Sequence, residues 1–152
     1  MPIRGSISLP GDKSISHRAI MLAGLTDGEC IINNLSTGKD VESTRSCLSS
    51  CGIKSRKENG VIYISGGEFE NPNLPLDCGN SGTTTRLISG LLSGQGLTAK
   101  LIGDTSLSAR PMGRAILPLT EMGAEISGTD GKLPLSIFSR QLNGIEYTLP
   151  VA

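Results

Sequence analysis

The amino-acid sequence predicts an α+β fold in which one βαβαββ unit of about 70 residues occurs twice and begins a third time. Arg18 and Arg86 each follow a Gly- and Ser-bearing loop and stand 68 residues apart; Gly28 and Gly96 keep the same offset. Asn59-Gly60 and Asp130-Gly131, dipeptides that favour type I′ hairpin turns, stand 71 residues apart. Leu149-Pro150 echoes Leu9-Pro10 just before the chain stops. Units that recur at this period stack on one another, because none can bury its faces alone.

The elements follow in order. Residues 3–9 alternate Ile3, Gly5, Ile7 and Leu9 on one face, which predicts a strand, and Pro10-Gly11 turns the chain. A helix is expected from Ser14, with Ile15, Ala19, Leu22 and Ala23 on its apolar side and Gly24 and Gly28 ending it. Residues 30–35 read as a short strand. Asp40 is placed to cap a second helix carrying Val41, Thr44, Leu48 and Cys51, with Gly52 after its end. Residues 53–56 and 61–65 flank the first hairpin turn. The second unit repeats the plan with a helix over 82–92, a strand over 97–103, a helix over 112–122 after Pro111, and hairpin strands over 124–127 and 132–137. Residues 145–150 (IEYTLP) read as the opening strand of a third unit. The chain thus divides into residues 1–12, an N-terminal strand and crossover loop, and residues 13–152, a partial domain. Its units span about 13–75 and 76–144, and its third begins at 145–152. A missing third unit implies a larger protein and leaves apolar surface exposed, or covered by another chain.

Composition narrows the function. A chain of 152 residues holds one domain with a real core. Aromatics make up only 3%, so that core is aliphatic. Lys+Arg and Asp+Glu balance at 14 each, leaving no global field for nucleic acid, and a basic face with stacking aromatics is lacking. No apolar run approaches the about 20 residues of a membrane helix, and the N-terminus has no signal-peptide core. These features predict a cytoplasmic protein with neither nucleic-acid nor membrane partners. Cys30, Cys47, Cys51 and Cys78, with one histidine and no CxxC, argue against a metal site and fit reduced thiols; Cys47 and Cys51 read as small core residues.

Three segments carry candidate chemistry. In LPGDKS (9–14) a lysine stands at the threshold of a helix, where Lys13 can reach a phosphate as a point charge. Ser14 either caps the helix or bonds a ligand oxygen, and Arg18 lies one turn on. The segment is not a Walker loop, since Ile7 and Asp12 stand where glycines are needed. GNSGTTTR (79–86) can form a nest of backbone N–H donors around Asn80 and Gly82, followed by Arg86. In SLSARPMGR (106–114), Pro111 suits a first helical turn and sets Arg110 ahead of it, where a guanidinium grips a phosphate or carboxylate. Asp40 is a cap or a partner for a nearby cation. His17, one turn after Lys13, reads as structural or surface, with a ligand role the lesser alternative.

Together these segments resemble the signatures of the 3-phosphoshikimate 1-carboxyvinyltransferase family (5-enolpyruvylshikimate-3-phosphate synthases), over the whole chain. The resemblance implies two domains of three βαβαββ units each, in the enolpyruvyl transferase fold, with substrates in the cleft between them; this chain is similar to the N-terminal portion. It implies that Lys13 is catalytic and contacts both substrates, and that Ser14 and Arg18 hold shikimate 3-phosphate. Asn80 and Gly82 would border the phosphoenolpyruvate pocket, Arg110 would bind its phosphate, and Asp40 and Arg86 would support the site. Leu87 and Asp12 depart from common family residues without removing a ligand contact. The resemblance implies no cofactor and no metal. It implies a partner in the missing C-terminal part of the same enzyme, and glyphosate sensitivity, since Gly82 has no methyl to crowd the pocket. The isolated chain is expected to bind weakly and not turn over. Two alternatives are a non-catalytic phospholigand-binding module and the sister transferase acting on UDP-N-acetylglucosamine. That sister usually has a cysteine where Thr105 stands here, and Lys-Asn where Lys13-Ser14 stands.

Overall fold

Two sheets of matching order organise the chain, whose residues 4–150 are described by a computed structural model. In order, the elements are α1 (Lys13–Gly24), β1 (Gly28–Ile32), α2 (Lys39–Ser50), β2 (Lys54–Glu58), β3 (Val61–Gly66), β4 (Leu76–Asp77), α3 (Gly82–Gly94), β5 (Ala99–Ile102), α4 (Thr105–Ser108), α5 (Gly113–Glu121), β6 (Glu125–Thr129) and β7 (Lys132–Phe138). The first sheet runs β1-β3-β2, all antiparallel. The second runs β4-β5-β7-β6, with β4 and β5 parallel and the rest antiparallel. Without β4 the two orders are the same, so β1, β2 and β3 correspond to β5, β6 and β7.

The repeat extends to single bonds. Arg18 Nη1 donates to the Ser14 carbonyl at 3.0 Å, and Arg86 Nη1 donates to the Gly82 carbonyl at 3.2 Å. Both hairpin turns have positive φ at both central residues, Asn59 at 49° with Gly60 at 82° and Asp130 at 53° with Gly131 at 65°, the type I′ signature. Gly52 and Gly123 end their helices at φ 91° and 100°.

The core is aliphatic and shared. Ile20 of α1, Leu48 of α2, Ile64 of β3, Ile88 and Leu92 of α3, Leu101 of β5 and Ile137 of β7 are all at most 1% exposed and belong to one cluster. Each such side chain contributes about 1.5–3 kcal/mol of burial. Cys47 and Cys51 lie in this core as free thiols, as expected, and burial raises the Cys51 thiol to about 11.

Several expectations need correction. Residues 4–10 and 145–150 form no strand. Ile7 and Leu9 are exposed, and an alternating pattern becomes a strand only where a ladder partner receives its N–H and C=O groups. Ile3 and residues 151–152 lie outside the described residues. On α1, Ile15 and Leu22 face outward at 69% and 64% exposure, while Ser16, His17, Ile20 and Met21 are buried. Leu22 and Leu25 join Leu87 and Leu91 of α3 in lining an apolar groove of about 530 Å³. Asp40 does not cap α2: the N-cap is Gly38, without a side-chain cap bond. Nor does Ser14 cap α1, whose N-cap is Asp12. Pro111 precedes α5, which begins at Gly113 after an N-cap at Met112, and the short helix α4 was not foreseen.

Candidate active site

Lys13 is set by the start of α1. Asp12 Oδ1 accepts the Ile15 N–H at 2.8 Å, satisfying one of the free donors of the first turn. Ser16 Oγ donates to the Asp12 carbonyl at 2.7 Å and accepts the Ser36 N–H at 3.0 Å, tying the helix start to the loop after β1. From that start Lys13 Nζ reaches Asp40 Oδ2 on α2 at 3.0 Å. Of the two roles open to Asp40, the geometry shows the cation partner. Ser14 and Arg18 are exposed on the same helix.

The second cluster lies at the N-terminus of α3. Ser81 caps the helix, accepting the Thr84 N–H at 3.1 Å. Arg86 bends back over its own helix start, and its Nη2 donates to the Pro111 carbonyl at 3.0 Å. Arg110 comes from the other side: its Nη2 donates to Asn80 Oδ1 at 2.7 Å and to Ser106 Oγ at 3.3 Å. Asn80 Nδ2 donates in turn to Asp104 Oδ2 at 2.7 Å. Asp104 also accepts the Leu107 N–H as the cap of α4. That backbone bond first, and Asn80 second, hold the Asp104 carboxyl below its ordinary range. The two guanidinium groups converge on Gly82. A Cβ built there would stand 2.7 Å from Arg86 Nη1 and 3.7 Å from Arg110 Nη1.

The structure therefore joins Lys13 to Asp40 and joins Asn80, Gly82, Arg86 and Arg110 into one group. The two groups are connected through Thr84, whose Oγ1 donates to the Asp40 carbonyl at 3.1 Å. His17 is fully buried, 2.6 Å from Thr44 by its Nδ1, and burial lowers its pKa. Asp104, Ser106, Thr44 and Thr84 were missed by sequence reasoning. For Asp104 a signal existed, an acidic residue three positions before the buried Leu107. For the threonines there was none, since a Thr in a helix reads as neutral. No group of three or more His, Cys, Asp or Glu side chains among the described residues is placed to hold a metal ion.

Two guanidinium groups converge on the N-terminus of α3, and comparison with known proteins agrees on a family. The family model for EPSP synthase (3-phosphoshikimate 1-carboxyvinyltransferase) matches residues 1–152. The chain belongs to the EPSP synthase family. It is 47% identical over 152 residues to a 3-phosphoshikimate 1-carboxyvinyltransferase of Koribacter versatilis, covering 98% of this chain and 36% of that protein. A Geobacillus kaustophilus relative of the same description is 46% identical over 155 residues, covering 99% of this chain and 36% of the relative. The solved EPSP synthase of Acinetobacter baumannii superposes with a TM-score of 0.91 at 41% identity, covering 97% of this chain and 35% of that one. The chain thus spans about a third of the length of the EPSP synthases it matches.

Proposed function

We propose that this chain is the N-terminal part of a transferase that moves the enolpyruvyl group of phosphoenolpyruvate to the 5-hydroxyl of shikimate 3-phosphate and releases phosphate. The observation that carries the reading is the convergence of Arg86 and Arg110 on Gly82 at the α3 N-terminus. Two anionic substrates repel each other, and bringing them together requires fixed cations where their phosphates and carboxylates will lie. Lys13, Ser14 and Arg18 would hold shikimate 3-phosphate, with Lys13 also reaching phosphoenolpyruvate. Asn80, Gly82 and Arg110 would form the phosphoenolpyruvate side. Asp40 and Arg86 would orient these groups. The reaction would run by addition to a tetrahedral intermediate and elimination of phosphate, in a cleft closed by the C-terminal part of the same enzyme. No cofactor is required for this chemistry. The protein would act in the cytoplasm, and glyphosate would inhibit it; no described helix is long and apolar enough to cross a membrane.

The test compares two proteins. A full-length protein carrying this chain is expected to release phosphate from phosphoenolpyruvate only when shikimate 3-phosphate is present. The 152-residue chain alone is expected to bind shikimate 3-phosphate weakly without turnover. Phosphate release independent of the second substrate, or none from the full-length protein, would overturn the transferase reading.

A further inference from the structure

Beneath the Lys13–Asp40 pair, four buried polar side chains form an unbroken chain across α1, α2 and α3. His17 Nδ1 lies 2.6 Å from Thr44 Oγ1, Thr44 Oγ1 lies 2.8 Å from Thr84 Oγ1, and Thr84 Oγ1 lies 2.7 Å from Ser81 Oγ. None of the four residues is more than 1% exposed. The chain ends at the Asp40 backbone carbonyl, 3.1 Å from Thr84 Oγ1.

The proton directions in this chain can be assigned. A hydroxyl has one hydrogen and two lone pairs. Thr84 has three oxygen neighbours, and one of them, the Asp40 carbonyl, has no hydrogen to give. The Thr84 hydroxyl donates towards that carbonyl at 3.1 Å and towards Ser81 Oγ at 2.7 Å, and its one hydrogen is spent on these two. Whichever of the two takes it, the Thr44 contact falls on a Thr84 lone pair, which makes Thr44 the donor. Thr44 has thereby used its hydrogen, so His17 Nδ1 must donate to it. The same imidazole leaves Nε2 buried with no hydrogen-bond partner among the described residues. A bare lone pair is tolerable there, whereas a proton on Nε2 would bury both a charge and an unpaired N–H.

Building on the transferase reading above, we infer that His17, as the neutral Nδ1–H tautomer, is a positioning residue for the reaction. It acts through Thr44 and Thr84 on the Asp40 backbone and on the start of α3. The Lys13–Asp40 bond needs such support, because its side chains are 55% and 31% exposed and a bond of that kind does little to fix its own geometry. The buried chain supplies it from below, joining the helix of Lys13, the helix of Asp40 and the helix of Gly82. The charges that bear on His17 are Asp40 from α2 and Lys13 and Arg18 from α1. Burial above all, and then both cations, oppose the imidazolium, while Asp40 favours it.

The experiment uses the full-length protein, with 15N-labelled histidine and the His17→Gln variant to assign the His17 signal. At pH 7 the expected spectrum shows a protonated Nδ1 and a bare Nε2. Asn places an amide nitrogen where Nδ1 stands, so His17→Asn is expected to keep kcat within about threefold. His17→Leu, and Thr44→Val in the same way, are expected to lower kcat at least about tenfold with KM changed much less, at unchanged circular dichroism. An Nε2–H tautomer, an imidazolium, or a His17→Leu variant with wild-type kcat would overturn the inference. If the wild-type protein does not turn over these substrates, the transferase reading fails, and the tautomer alone then upholds or overturns the buried relay.

Discussion

The Arg86 guanidinium occupies the space that a side chain at Gly82 would need: a Cβ on Gly82 would stand 2.7 Å from Arg86 Nη1. Gly82 therefore does more than start a helix. Its missing methyl lets Arg86 bond the Gly82 and Pro111 carbonyls at once. Gly82→Ala is expected to leave the melting temperature unchanged or raise it, because Ala favours a helix by up to about 1 kcal/mol and the obstructing atom ends a flexible side chain. The same change should move Arg86 and raise KM for phosphoenolpyruvate several-fold. Thermal melting and steady-state kinetics on one preparation of the full-length protein check both halves, and an unchanged KM would overturn the expectation for Arg86.

Lys13→Met separates function from stability. The pair with Asp40 is largely solvated, so its loss should change unfolding free energy by less than about 1 kcal/mol. Turnover should fall by roughly a hundredfold or more, the scale of removing one fixed donor that stabilises developing charge. Denaturant titration beside a phosphate-release assay, both on the full-length protein, gives both numbers; a large stability loss would mark Lys13 as structural instead.

Asp104 should show its charge in acid. Its folded pKa is depressed, first by the Leu107 N–H and then by Asn80. The ionised form is thus favoured by folding, and its contribution is complete above the unfolded carboxylate value of about 3.9. It fades as the pH falls through the lower folded value. The melting difference between wild type and Asp104→Asn is expected to be constant from neutral pH to about 5 and to vanish below that range. A difference that grows in acid would contradict the assignment.

His17 titrates in the opposite chemical sense, with the same sign of slope. Burial depresses its pKa, so the unfolded chain takes up a proton near 6.5 before the folded chain does. Stability attributable to His17 is therefore full above about 6.5 and lost as the pH falls towards the folded value. Wild type should lose stability relative to His17→Asn between pH 7 and 5, as read by parallel melts.

The two hairpin turns give a matched pair. Gly60 at φ 82° and Gly131 at φ 65° sit in left-handed conformations. Ala at either position should cost about 1–2 kcal/mol. The two losses should be similar and additive, since the hairpins lie in separate sheets. A negligible loss at one site would mean that its hairpin opens without unfolding the rest.

Much of this architecture was legible because its signals are local. Asn59-Gly60 and Asp130-Gly131 specify their turns by backbone conformation alone, and the Arg18 and Arg86 contexts repeat because the helices that carry them repeat. The misreadings share one cause. On α1, apolar side chains were assigned inward, yet Ser16 and His17 are buried because hydrogen bonds await them, and Ile15 and Leu22 lie outside. Asp40 looked like a cap because its partner, Lys13, is 27 residues away. The alternating segments at 4–9 and 145–150 had the right pattern without a neighbouring strand. In the site, arginines and glycines were readable from their chemistry, whereas Thr44 and Thr84 became visible only through distances between helices.

The start of α3 also bears on how long the folded chain persists. Its cap is a neutral serine, its first turn has no acidic residue, and two guanidinium groups crowd an end where the helix dipole is already positive. Fixed positive charge at such a place favours an anion. An anion that binds there and not to the unfolded chain would add to the resistance to unfolding. A chain supplied with such an anion would then outlast one deprived of it.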